Sequence, residues 1–259
     1  MLRMQVVAHR GASHEIAEHT REAYVEAIRL GADGLECDVR LTADGHLVCV
    51  HDRHLKRIAA TRGLISAMTL EELNQYDFSS WKNQWADLDD ERPMGNHELG
   101  VLTLRALLET VADAGRRVEL AIETKHPTRY GGLVERRLAH LLGEFGWTDL
   151  GSPVRVMSFS FTALQRMQRL APKLQLVQLI EKAHHWPVLR PLVDPDWIIG
   201  PGIGELRAHP GLGKHLNLAD KEIHVWTVNT EADLQLCQAL GVTAVITDRP
   251  AYMLELLRR

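Results

Sequence analysis

The sequence predicts an α/β protein of the (β/α)8, or TIM, barrel class. Three observations carry that expectation. Apolar runs of strand length recur along the 259 residues and are mostly separated by helical patterns, the alternation of a parallel sheet. The length is that of one such barrel, although two small domains or an open doubly wound sheet also fit it. Finally, three apolar runs carry titratable clusters at or just past their ends, where barrels build their sites. These are His9-Arg10-Gly11, Glu36 with Asp38, and Glu123-Thr124-Lys125-His126.

Taken in order, the first strand is Val6-Val7-Ala8, and a loop then runs to His19. A helix is expected from about 20 to 30, capped by Thr20, with Ala23, Ala27 and Ile28 on its apolar face and Gly31 as its stop. The next strand spans 35–39. Alternation places Glu36, Asp38 and Arg40 on one face and Leu35, Cys37, Val39 and Leu41 on the other. Asp44-Gly45 marks a hairpin, and residues 47–50 return outside the barrel. A two-residue turn sets Asp38 opposite His51, and a three-residue turn shifts that pairing by one. Either brings a histidine back to two carboxylates.

Residues 54–117 read as a small insertion, with short helices at 69–73 and 104–114. Between them Tyr76, Phe78, Trp81 and Trp85 either rise over the site or form a satellite cluster. Strands then follow at 118–122, 154–158, 176–179, 197–200, 223–226 and 244–247. Helices are expected at 133–145, 163–170, 187–193, 212–218 and 231–240. With no internal repeat or low-complexity tract, residues 1–259 read as a single domain.

Composition narrows the function. Hydrophobic residues make up 45% and charged residues 25%, as in ordinary globular proteins. A net charge of −4 without a basic run argues against nucleic acid, whose phosphates need clustered Lys and Arg. No stretch approaches the roughly 18 apolar residues of a membrane span. The opening MLRMQVVAHRG is too short in apolar residues for a secretory leader, so a cytoplasmic protein is expected. Cys37, Cys49 and Cys237 are odd in number and lack metal-type spacing; the first two sit in strand interiors as small buried thiols.

Glu36, Asp38 and Glu123 form an all-oxygen donor set. Hard divalent cations such as Mg²⁺ or Ca²⁺ suit it, with Mn²⁺ also possible, whereas zinc usually recruits nitrogen or sulfur. Beside them stand the cations Arg10 and Lys125 and the histidines His9 and His51. Three carboxylates, one divalent ion, Arg10 and Lys125 leave one net positive charge, which matches a phosphodiester monoanion. Two histidines flanking a phosphorus centre can act as base and acid, since their ordinary pKa lies near 6.5. No serine or cysteine pairs with a histidine as a nucleophile. A phosphodiester whose alcohol bears a neighbouring hydroxyl carries its own nucleophile, which leads through a cyclic phosphate; direct attack by water is the competing route.

The segments HRGA…EHT, GLECDV, VCVHD, IETK, SFS, VWTVN and ITDRP run in this order from His9 to Pro250. Together they resemble the glycerophosphodiester phosphodiesterase family over nearly the whole chain. That resemblance implies a (β/α)8 barrel and a divalent ion on Glu36, Asp38 and Glu123. It also implies acid–base catalysis by His9 and His51, phosphate contacts from Arg10 and Lys125, and a site lined by Ser158, Phe159 and Trp226. The implied reaction is metal-dependent hydrolysis of a small glycerophosphodiester to an alcohol and sn-glycerol 3-phosphate. One departure is His19, where the family usually has asparagine; it is expected to be a tolerated variant. His14 and His126 read as loop histidines, and His46 as part of the turn. Two rivals remain. One is a lysophospholipase D-like enzyme with an acyl groove lined by Phe78, Trp81 and Trp85. The other is a catalytically reduced barrel that binds a phosphodiester, against which the intact histidines and carboxylates count.

Overall fold

The computed structural model describes residues 3–82 and 100–259. Its strands are β1 (Gln5–His9), β2 (Gly34–Leu41), β3 (Leu47–Cys49), β4 (Glu119–Thr124), β5 (Val154–Ser158), β6 (Gln175–Ile180), β7 (Ile198–Pro201), β8 (His224–Val225) and β9 (Ala244–Thr247). They run in the order β7-β6-β5-β4-β2-β1-β9-β8, and β3 pairs antiparallel with β2 off this path. Parallel bridges from Ile199 to Ile223 and from Gly202 to Trp226 join the two ends and close the ring. The result is the expected (β/α)8 barrel, with the return strand outside it.

Strand alternation explains the two cores. Val6, Ala8, Leu35, Cys37, Leu120 and Ile122 point outward into the large cluster shared with the helices. Their neighbours Val7, Ala121, Met157, Val177, Ile198 and Ile246 fill the barrel interior. Thr20 caps the Arg21–Leu30 helix by accepting from the Ala23 N–H, and the helix Leu104–Ala112 buries Leu104, Leu107 and Leu108 in the main core. Helices at Leu133–Glu144, Phe161–Leu170, Pro210–Leu218 and Glu231–Ala239 also fall where expected. The stretch 187–193 forms only one turn, Trp186–Leu189, while helices Lys56–Ala59, Ile203–Ala208 and Pro250–Arg258 were not foreseen. The first two are short. The last starts on a proline at its first turn and buries Met253 and Leu254. Among the described residues, no helix is long and apolar enough to cross a membrane.

Two expectations are corrected. Val39 pairs with Cys49 and Thr42 N–H donates to the His46 carbonyl, so three residues form the turn. Asp38 therefore lies opposite Val50, whose N–H it accepts, and not opposite His51. Gly45, at φ +88°, supplies the left-handed residue such a turn requires. The aromatic stretch is also redirected. Phe78 is buried with Val48, Val50, Leu55, Ile58, Ile65 and Leu73, and Tyr76 and Trp81 pack against that satellite cluster. Trp85 lies outside the described residues.

At the N-terminal end of the barrel, Arg155 is buried and donates twice to Gln5 Oε1, at 3.1 and 3.2 Å. His224 is buried beside it, 3.0 Å from Glu222. Desolvation, aided by the Arg155 charge, pushes the His224 pKa down to about 4. This is a depressed folded-state value, so the stabilisation is complete above the ordinary value near 6.5 and is lost as pH falls through about 4. The loss amounts to about 3 kcal/mol. Unfolding free energies at pH 7 and pH 4 should therefore differ less in His224→Gln than in the unaltered protein. Parallel losses in the two would contradict this origin.

Candidate active site

The register of the parallel strands assembles the site. His9 on β1 lies beside Glu36 on β2, and Asp38 on β2 lies beside Glu123 on β4. Because alternation turns Glu36, Asp38 and Glu123 inward at the C-terminal end, one oxygen from each lies within 4.8 Å of the others. All three are buried. The donor set suits a hard divalent cation: it is entirely oxygen, convergent and strongly anionic. Its electrostatics agree. Desolvation, and next the Asp38 charge, push Glu123 up to about 8 and raise Glu36 well above the usual carboxylate range. Asp38 is also desolvated, but the His19 hydrogen bond and the charges of Lys125 and Arg10 outweigh that and hold it well below its ordinary value.

Both cations expected at the site are there. Lys125 Nζ sits 2.8 Å from Asp38 and 2.9 Å from Glu123. Arg10 Nε lies 2.9 Å from Asp38, in an orientation that makes an ion pair but no hydrogen bond, and Nη1 donates to Glu18 at 3.1 Å. The loop that carries Arg10 depends on Gly11. Its φ is +88°, and a Cβ there would lie 2.6 Å from the Ala23 backbone.

Each histidine is held by a carboxylate that sequence reasoning did not single out. His9 Nδ1 lies 2.6 Å from Asp248, which also accepts from Ser13 and Asn229. His51 Nδ1 lies 2.8 Å from Asp52, which accepts from Arg57 Nε at 2.7 Å. With Nδ1 engaged, each ring has Nε2 left for other partners, and His9 Nε2 is 3.9 Å from Glu36. Asp248 is desolvated, yet the His9 hydrogen bond and charge bring it down to about 2. Desolvation lowers the His51 pKa, with Asp38 opposing and Arg10 and Lys125 assisting. The satellite cluster supports this corner, since Arg57 also stacks over Trp81 at 5.2 Å and bonds Glu18.

Around these groups lies a cleft of about 340 Å³, lined by His9, Arg10, Glu36, His51, Glu123 and Lys125, with an apolar side that includes Phe159 and Trp226. Those two rings meet edge to face at 5.5 Å, and the indole N–H of Trp226 donates to the Gly200 carbonyl. Ser158 does not join them. It is fully buried; its hydroxyl donates to Thr124 and accepts from the Ser160 N–H, which fixes the chain beneath Phe159. Phe78 and Trp81 are likewise not among the residues lining this cleft. His126 is held by the buried Glu135 at 2.8 Å, and His46 is exposed.

His19 is buried, with Nε2 3.0 Å from Asp38 Oδ2 and Nδ1 2.8 Å from the Tyr24 hydroxyl. Desolvation lowers its pKa against the pull of Asp38, so the pocket favours a neutral ring donating Nε2–H to Asp38. It braces one carboxylate of the trio. Its φ of +60° lies in the left-handed region, which asparagine tolerates better than most residues, and the asparagine amide can also donate. His19→Asn should accordingly retain turnover within a few-fold, as measured by steady-state kinetics; an inactive His19→Asn would show that the imidazole itself is required.

Comparison with known proteins bears on this geometry. The model of the glycerophosphoryl diester phosphodiesterase family matches residues 9–252. A protein of Mycobacterium tuberculosis named "probable glycerophosphodiester phosphodiesterase 1" is 41% identical, over 95% of this chain and 89% of its own length. The Bacillus subtilis glycerophosphodiester phosphodiesterase is 30% identical, over 96% of this chain and 84% of that one. A solved phosphodiesterase of Oleispira antarctica, in complex with the product sn-glycerol-3-phosphate, superposes with a TM-score of 0.81 at 24% identity, covering 98% of this chain and 97% of its own. The glycerophosphodiester phosphodiesterase of Agrobacterium tumefaciens superposes with a TM-score of 0.73 at 27% identity, covering 96% and 97%.

Proposed function

The chain belongs to the glycerophosphoryl diester phosphodiesterase family and is an enzyme of that kind; from this premise we propose that it hydrolyses glycerophosphodiesters to an alcohol and sn-glycerol 3-phosphate, with one divalent cation and two histidines. The observation that carries this reading is the meeting of three buried carboxylates, two carboxylate-held histidines and two cations in one cleft. Glu36, Asp38 and Glu123 would hold the ion, with Mg²⁺ or Ca²⁺ favoured and Mn²⁺ also suitable. When bound, the ion supplies a Lewis acid that draws charge from the phosphate and the glycerol hydroxyls.

The chain's own groups do the rest. Arg10 and Lys125 orient the phosphodiester and neutralise its charge, while Phe159 and Trp226 offer an apolar wall to the carbon chain. One of His9 and His51 takes the proton of the attacking hydroxyl through Nε2, and the other protonates the leaving alcohol. Asp248 and Asp52 hold the two rings in the tautomer that leaves Nε2 free for this exchange. Attack by the substrate's 2-hydroxyl is the favoured route, because among the described residues no serine or cysteine lines the cleft as a nucleophile. The cyclic phosphate is then opened by water with the histidine roles reversed.

A lysophospholipase D-like activity would need an acyl groove. Phe78 and Trp81 do not provide one, since they pack into the satellite cluster. The segment at about 54–117 is read as a small insertion of one domain spanning 1–259. Three buried free cysteines support a cytoplasmic setting. The test is product analysis with glycerophosphocholine and glycerophosphoethanolamine. Release of sn-glycerol 3-phosphate with the free alcohol supports the reading, and release of glycerol with a phosphorylated headgroup would overturn it.

A further inference from the structure

Next to the catalytic cleft is a second, smaller one, and Lys125 lines both. Its other polar lining comes from Arg40, Arg53 and Arg129 and from Ser66, Thr128 and Tyr130; among the described residues no acidic side chain lines it. The Tyr130 hydroxyl donates to the Ser66 carbonyl at 2.6 Å. Lys125 is engaged by Asp38 and Glu123, but the three arginines differ. Arg40 donates from Nε and Nη2 to the His51 carbonyl, at 2.9 and 2.6 Å, and has no carboxylate partner among the described residues. Arg53 has no ion pair among the described residues, and Arg129 only a cation–π contact with Tyr130 at 5.8 Å. Like charges gathered around one cleft without an intervening carboxylate repel one another, and an anion between them would relieve that repulsion.

We infer that this cleft is a subsite for a second anionic group, a carboxylate or a phosphate, borne by the alcohol of the substrate. The inference rests on the hydrolytic reading above and extends it to the substrate class. The wall shared through Lys125 places the subsite next to the scissile phosphate, and the glycerol half of a glycerophosphodiester carries only hydroxyls, so the extra charge must come from the alcohol. Size agrees. The cavity volume is about 30 Å³, against roughly 10–15 Å³ for one water, which leaves room for a small anionic group. Arg53 and Arg129 supply the selectivity, because both are exposed at the cleft and free to fold onto the ligand, whereas Arg40 is fixed by His51.

The test uses a matched pair: glycerophosphoglycerol, and its glycerate counterpart with a carboxylate in place of the terminal hydroxymethyl group. In the unaltered protein kcat/KM should favour the glycerate compound by about tenfold, the scale of a few partly exposed charge-assisted contacts. Arg53→Ala with Arg129→Ala should bring the ratio near one without changing turnover of glycerophosphoglycerol, and Arg53→Lys should restore part of it. The same ratio is measured in binding by calorimetry on His51→Ala. Equal kcat/KM for the pair, or a preference that survives loss of both arginines, would overturn the subsite while leaving the hydrolytic reading intact. A binding preference that both arginines carry, in a protein that turns over neither compound, would support the subsite and remove the hydrolytic reading instead.

Discussion

His9→Ala and His51→Ala are each expected to lower kcat by about 10²-fold or more, the scale of losing a positioned acid or base. KM should change less, because Arg10 and Lys125 remain to hold the phosphate. Both rings are partly exposed, at 17% and 38%, so the loss of rate should far exceed any loss of folded protein at the assay temperature. Asp248→Asn and Asp52→Asn provide a control in kind. Each would keep a polar partner at Nδ1 but weaken the hold on the tautomer, and so should give a smaller loss of kcat with little change in KM. A His51→Ala protein at full rate would remove the acid–base pair from the account.

The second large effect concerns the substrate. A glycerophosphodiester lacking the 2-hydroxyl should bind yet release no alcohol above background, whereas the parent compound turns over. The reason is an absence in the cleft. Its carboxylates converge on one another, its histidines are held by Asp248 and Asp52, and among the described residues its lining offers no serine or cysteine. The one group tethered to the phosphorus and able to attack it is then the substrate's own hydroxyl, whose intramolecular reaction gains the advantage of proximity. Competitive inhibition by the 2-deoxy compound would confirm that it occupies the site. Brisk hydrolysis of that compound would eliminate the cyclic route and leave water as the attacking group.

What the sequence could reveal follows from the range of each interaction. Glu36 and Asp38 were legible because period-two alternation puts them on one face, and His9 and Glu123 because they stand just past apolar runs; parallel register then brings neighbouring strand ends together. The partners of the histidines were not. Asp248 reaches His9 across 239 positions of chain, and no local pattern distinguishes it from other loop acids, although ITDRP and VCVHD contained both orienting carboxylates. Ser158 misled for another reason: the resemblance of the SFS segment implied a place in the cleft, while its hydroxyl is satisfied by two backbone groups. The hairpin register turned on whether two or three residues form the turn, which Asp44-Gly45 alone does not decide. The satellite cluster was one of two readings of the same aromatics, separable only once Leu55, Ile58 and Ile65 were seen to converge on Phe78.

The most direct test is to remove the cation. Glu36, Asp38 and Glu123 crowd together away from water, and burial already pushes Glu36 and Glu123 toward their protonated forms. A divalent ion that binds only the folded protein should therefore contribute stability as well as activity. Protein treated with a chelator and verified as metal-free should melt at a lower temperature and release no sn-glycerol 3-phosphate from glycerophosphodiesters. Adding Mg²⁺, Ca²⁺ or Mn²⁺ should restore both, and Glu123→Gln should blunt both responses together. Full turnover by the verified metal-free protein, with a melting temperature indifferent to added cations, would contradict the account.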